Sequence, residues 1–187
     1  MDSHKGKIII LNGVSSAGKT TLAKVLQERL SQPFFHIDVD MFCIMAPQKF
    51  LENDYSLQHN FVSNMFDVVK LFSDKGYSLI VPCAFLEGYG YLEKCVSLLH
   101  SYQVLFVHVT CPIEELIQRE KKRGDRPLGS AEAMLPMLVP QGTYDIMVDT
   151  YKYSTIDCAD KLVEMLNTPE KLTSFKELWT LQKEGKK

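Results

Sequence analysis

The sequence predicts an α/β fold built on a parallel sheet with helices on both faces. Three observations carry this. Short apolar runs alternate along the chain with amphipathic helical stretches. The first run, residues 7–12, is apolar throughout its middle, as a strand buried on both faces requires. The chain has 187 residues, 45% of them hydrophobic, which suits a single domain with one sizeable core.

The elements follow in order. After the strand at 7–12, residues 20–30 place Leu22, Val25, Leu26 and Leu30 at helical spacing with charged and polar residues between them. Pro33 breaks the chain, and 34–39 reads as a second strand. Residues 41–54 have no clear period; with their flank to 56 they form a small lobe carrying Phe42, Met45, Pro47 and Phe50. A helix with a broad apolar face spans 57–73, ended near Gly76 by a left-handed residue. Residues 77–81 are a third strand, 91–100 a helix and 104–109 a fourth strand. Pro112 opens a helix to about 122, with Glu114 and Glu115 suiting its positive end. Residues 124–142 hold three prolines and read as loop with a short helix near 131–135. Residues 144–148 are a fifth strand, and Ser154 caps a helix over 155–166. A C-terminal extension, 168–187, forms a last helix over 169–182 and frays from 184.

Composition narrows the function. Lys plus Arg number 21 against 23 Asp plus Glu, a net charge of -2, which gives no reason to expect a nucleic-acid partner or an anionic membrane. The five cysteines are odd in number and none lies in a C-x-x-C pair, arguing against a disulfide framework and a zinc site. The polar N-terminal stretch resembles neither a signal peptide nor a membrane span, so a cytoplasmic protein is expected.

One motif carries chemistry outright. Gly13, Val14, Ser15, Ser16, Ala17, Gly18, Lys19 and Thr20 match G-x-x-x-x-G-K-[ST], with a strand before and a helix after. Glycines let backbone N–H groups turn inward around phosphate oxygens. Lys19 brings a point charge to the β- and γ-phosphates, Thr20 offers a hydroxyl to Mg2+, and the helix entered through Thr21 aims its positive end at the same phosphates. Gly13, Ser15, Ser16, Ala17, Gly18, Lys19, Thr20 and Thr21 are therefore the expected ATP-binding residues.

Asp38 and Asp40 stand two apart at the end of the second strand. In an extended chain that spacing points both toward one side, into the cleft beyond the strand ends. Phosphoryl transfer needs a carboxylate at the acceptor hydroxyl and an acid near the metal. Asp40 is assigned to the acceptor as catalytic base, and Asp38, with Thr20, to the metal shell.

Residues 119–126 are dense in cations, with Arg119 and Arg123 four apart on one helical face. With the phosphate loop upstream, they read as an arginine lid over 119–141. Arg119 and Arg123 bind nucleotide phosphates there, and Arg126 neutralises the transferred charge. Phe42, Phe50, Phe85 and Tyr89 are candidates for an apolar acceptor pocket.

These residues together resemble the chloramphenicol phosphotransferase-like family of P-loop kinases. The resemblance rests on 8–20, Val39-Asp40, Phe85-Leu86, Arg119-Glu120 with 123–126, Gly142 with Tyr144-Asp145, and 148–150. It implies a three-layer P-loop NTPase fold with a five-stranded parallel sheet of nucleotide-kinase-like topology, ATP as donor and an aspartate base at Asp40. Two positions depart from the family pattern: Pro82-Cys83 stands where an acidic pair is found, and Pro140-Gln141 where a histidine precedes the glycine matching Gly142. Both lie where an acceptor would be oriented. The expected activity is transfer of the γ-phosphoryl group to a hydroxyl of a small molecule, chloramphenicol or another alcohol. A metabolite or nucleoside kinase is the alternative within the class. A nucleotide-binding regulatory or toxin-like protein without a small-molecule acceptor is the alternative outside it.

Overall fold

The computed structural model describes residues 5–51, 53–124 and 128–185. Five strands, β1 (Ile8–Asn12), β2 (Phe34–His36), β3 (Ser78–Cys83), β4 (Val104–Thr110) and β5 (Ile146–Asp149), pair in the order β2-β3-β1-β4-β5, every pair parallel. The helices are α1 (Lys19–Arg29), α2 (Val39–Ile44), α3 (Gln48–Leu51), α4 (Tyr55–Asp74), α5 (Tyr91–Leu99), α6 (Ile113–Arg123), α7 (Ser130–Met134), α8 (Thr155–Leu166) and α9 (Ser174–Glu184).

β1 is central because its apolar residues point both ways. Ile9 and Leu11, with Leu105, Val107 and Val109 of β4, pack against Leu22 and Leu26 of α1 and Leu162 and Leu166 of α8. Ile8 and Ile10, with Leu79, Val81 and Phe106, pack against Met65, Phe66 and Val69 of α4, Val96 and Leu99 of α5, and Phe175 of α9. The β1 side chains Ile8, Ile9, Ile10 and Leu11 are wholly buried, each contributing roughly 2 kcal/mol of apolar burial. The chain order reverses across β1, so its C-terminal end opens a crevice between the flanking connections, where ligands bind in such sheets.

The second strand is shorter than its sequence pattern suggests. It ends at His36, and Asp38 begins a helix instead: its Oδ1 accepts the Met41 N–H at 2.8 Å. The third strand is longer, running through Pro82 and Cys83. Pro82 is tolerated because its nitrogen faces the side where β2 has already ended, with His36 paired opposite Ile80. The lobe expected over 41–56 holds α2, α3 and the first residues of α4, whose start Asp54 caps through the Leu57 N–H at 2.9 Å.

The C-terminal segment divides into a 3-10 turn, Pro169–Lys171, and α9. Asp145 sets that division. Its Oδ1 accepts the N–H groups of Thr173 (2.9 Å) and Ser174 (3.0 Å), and its Oδ2 accepts the Phe106 N–H at 2.8 Å. One carboxylate thus ties the start of α9 to β4. No helix among the described residues is long and apolar enough to cross a membrane.

Candidate active site

The loop between β1 and α1 is shaped by close approach. A Cβ at Gly13 would stand 2.5 Å from the Val109 carbonyl oxygen, so the chain can leave β1 beside β4 only without a side chain. Ser16 (φ 62) and Gly18 (φ 90) both take left-handed conformations, folding the loop back on itself. Lys19 Nζ donates to the carbonyls of Gly13 (2.8 Å) and Val14 (2.7 Å), which stations its charge over the loop. The hydroxyls of Ser15 and Ser16 are buried and find no partner in the structure. Buried polar atoms without partners are costly, so these two point to a polar ligand in the loop. Thr20 and Thr21 open α1 on its cleft side.

A single cleft of about 630 Å³ runs from this loop past Asp38 and Asp40 to Tyr55, Tyr89 and Phe85. The two aspartates reach it by a different route from the extended chain that their spacing suggests. The backbone turns helical at Val39, so period two no longer applies. Asp38 is the N-cap of α2, and its other oxygen, Oδ2, lies 3.0 Å from His36 Nε2. Asp40 sits in the first turn of α2, exposed to the cleft. Both acids line one wall, Asp38 as the helix cap and Asp40 as an exposed residue of the first turn.

The far end of the cleft is aromatic. His59 Nε2 donates to the Tyr89 carbonyl at 2.8 Å, since a carbonyl only accepts. The His59 ring stacks on Tyr91 at 4.9 Å, and Tyr91 meets Tyr89 at 5.6 Å. Burial pushes the Tyr91 hydroxyl up to about 12, so it remains a neutral donor at ordinary pH. Phe85 and Tyr89 line this end as the sequence suggested. Phe42 instead packs in the core beside Phe61, and Phe50 is outside the cleft lining and half-exposed. Cys83 also lines the cleft; burial raises its thiol to about 12, with Lys19 pulling the other way, so it is an inert packing group.

Of the arginines, Arg119 and Arg123 both line the cleft beside the phosphate loop. Arg119 is held at every nitrogen: Nε donates to Glu115 Oε1 (2.8 Å), one terminal nitrogen to Thr150 Oγ1 (3.0 Å) and the other to the Thr150 carbonyl (3.2 Å). The assignment of Arg126 lies outside the described residues. Past Gly124 (φ 69), which ends α6, the expected lid contains α7 and a 3-10 turn at Leu135–Met137.

Three polar residues that sequence reasoning left unassigned turn out to organise the site. Thr150 Oγ1 donates to the Ala17 carbonyl at 2.9 Å, fastening the loop to the end of β5. Asn12, wholly buried, donates to the Val139 carbonyl and the Tyr144 hydroxyl, both at 2.8 Å, and accepts the Phe85 N–H at 2.9 Å. Glu120, 2% exposed, accepts the N–H groups of Gly129 (3.0 Å) and Ala131 (2.7 Å). A polar residue closing an apolar strand, and an acid alone on a helix face, were the available signals.

Known proteins resemble this chain in sequence and in fold. The model of the chloramphenicol phosphotransferase-like protein family matches residues 6–167. A Mycobacterium tuberculosis (strain H37Rv) relative, provisionally named an O-phosphotransferase, is 25% identical over 185 residues, covering 86% of this chain and 82% of that protein. Among solved structures, the Mycobacterium tuberculosis APS kinase in complex with AMPPNP and APS superposes with a TM-score of 0.68 at 16% identity, over 87% of this chain and 98% of that one. The Acinetobacter baumannii shikimate kinase in complex with shikimate gives 0.63 at 17%, over 88% and 95%. The fold is that of the P-loop kinases, and with the match running through the phosphate loop, the aspartate wall and α6, this chain belongs to the chloramphenicol phosphotransferase-like family.

Proposed function

We propose that the protein is an ATP-dependent kinase that moves the γ-phosphoryl group to a hydroxyl of a small molecule. The observation that carries this is the continuity of the cleft: one space joins the phosphate loop, the exposed carboxylate of Asp40 and an aromatic far end. A switch protein that only binds nucleotide has no need of the second half. The relatives support the donor, since the APS kinase was solved with AMPPNP and an adenylyl-sulfate kinase of Clostridium acetobutylicum is 25% identical over 177 residues.

The loop amides, the Ser15 and Ser16 hydroxyls and the Lys19 ammonium hold the triphosphate against the positive end of α1. Among the described residues no three His, Cys, Asp or Glu side chains gather as a metal cage. Thr20 would hold Mg2+ through its hydroxyl, and Asp38, lining the same cleft, would reach the ion through water. When bound, it offsets charge on the phosphates. The acceptor lies along the aromatic end with its hydroxyl toward Asp40. Asp40 takes the hydroxyl proton as the acceptor oxygen bonds to the γ-phosphorus and the bond to the ADP oxygen breaks. Arg123 faces the charge spread over the moving group.

ADP release measured with and without a panel of alcohols, chloramphenicol among them, tests the reading. Strong acceptor dependence is expected. Asp40→Asn should retain Mg·AMPPNP affinity and lose about 100- to 10,000-fold in transfer, whereas Lys19→Ala should weaken both. Normal transfer by Asp40→Asn would remove the assigned base, and turnover indifferent to every alcohol would favour the regulatory alternative.

A further inference from the structure

The connection from α6 back to β5 does more than close the fold. Its start is gripped by Glu120, whose buried carboxylate accepts the N–H groups of Gly129 and Ala131. Its end is gripped by Asn12, which donates to the Val139 carbonyl. Between these grips, Met134 lines the cleft. The Glu87 N–H donates to the Met137 carbonyl at 2.7 Å, the Val139 N–H to the Phe85 carbonyl at 3.0 Å, and Leu86 bridges antiparallel to Leu138. Phe85 and Leu86 belong to the aromatic end of the cleft, and Asn12 also holds the Phe85 N–H.

We propose that Glu120 and Asn12 are positioning residues that hold segment 129–139 as a brace between the phosphate-binding half of the site and its acceptor wall. Each residue is rooted on the nucleotide side. Asn12 immediately precedes Gly13, and Glu120 follows Arg119, which Thr150 links to the Ala17 carbonyl. Both reach across to the same wall. A desolvated carboxylate is retained at Glu120 because two backbone donors converge on it, which no neutral side chain of that length can accept equally. An amide there would turn its NH2 toward one of those donors. What the brace serves rests on the kinase reading; the contacts that form it do not.

The test is amide hydrogen exchange on the wild type, E120Q and N12D, with Mg·AMPPNP affinity measured by calorimetry in each. In E120Q, exchange should rise at least about tenfold at Gly129 and Ala131 and also across the bridge at Glu87 and Val139. The Mg·AMPPNP dissociation constant should stay within about threefold of wild type, because the loop amides are untouched. N12D keeps the acceptor for the Phe85 N–H and loses both donated bonds, so it should loosen Glu87 and Val139 from the other end. A rise confined to Gly129 and Ala131 overturns the proposal. So does a rise that spreads through β1 and β4 with loss of AMPPNP binding, since Glu120 would then serve general stability. If E120Q does not fold, N12D decides by the same criteria at Glu87 and Val139. A wild type that binds no Mg·AMPPNP sinks the kinase reading instead, and the exchange pattern still decides this one.

Discussion

Gly13 is where a single atom decides the loop. Its missing Cβ leaves room for the Val109 carbonyl oxygen, which a methyl group would approach to 2.5 Å. Both partners are backbone, so neither can swing aside. Gly13→Ala is therefore expected to destabilise the fold by about 1–3 kcal/mol and to weaken Mg·AMPPNP binding as well, read by urea unfolding and calorimetry. Unchanged affinity would mean that the loop relaxes without disturbing its amides. Asp38 poses a different question, because one side chain is offered two roles. Its Oδ1 caps α2, and α2 carries Asp40. Asp38→Ala should cost about 1 kcal/mol of stability, and Asp38→Ser, which keeps a capping oxygen, only a few tenths. If the carboxylate also steadies the metal through water, both variants should need more magnesium for half-maximal turnover. A raised requirement in Asp38→Ala alone would assign the whole effect to the cap.

At the scale of elements, α9 shows how an appended helix becomes part of the core. Phe175 meets Phe106 edge-on at 5.2 Å, and Asp145 accepts three backbone N–H groups that join α9 to β4. Asp145→Ala leaves those three donors unsatisfied and is expected to cost about 3 kcal/mol. Neither α9 nor β4 lines the cleft, so Mg·AMPPNP affinity should survive in the folded variant. Chemical denaturation reads the first effect and calorimetry the second. A change below about 0.5 kcal/mol would show that apolar contact by itself seats α9.

Across the whole molecule, one half-buried group sets a pH dependence near neutrality. His108 stacks on Tyr144 at 4.6 Å, and burial lowers its pKa from the ordinary 6.5. The unfolded chain then binds more protons than the folded one below that value, so stability should fall as pH drops through 6.5 toward the folded-state pKa. Asp74, lowered by its hydrogen bonds to Lys70 and Tyr102, adds a loss only in the acid range, below its ordinary 3.8. His108→Gln should flatten the decline between pH 7 and 5, measured as the unfolding midpoint at each pH. An unaltered slope would place the titration elsewhere.

What could be read along the chain is what depends on near neighbours. The phosphate loop, β1 and α1 follow from a glycine pattern, an apolar run and a helical period, all local backbone and burial preferences. The extended reading of 34–39 failed because an aspartate at 38 can cap as readily as continue a strand, and only the Met41 N–H it meets separates the two. Phe42 and Phe50 could not be sorted from Phe85 and Tyr89, since an aromatic residue lines a pocket or a core according to what lies opposite. Asn12 finds Val139 127 positions away, and Thr150 finds Ala17 133 positions away. The sequence by itself determined the loop between β1 and α1, because its left-handed glycine and its lysine need only near neighbours. The tertiary structure alone decided how the aromatic end of the cleft is held, because those hydrogen bonds join residues whose separation along the chain carries no period.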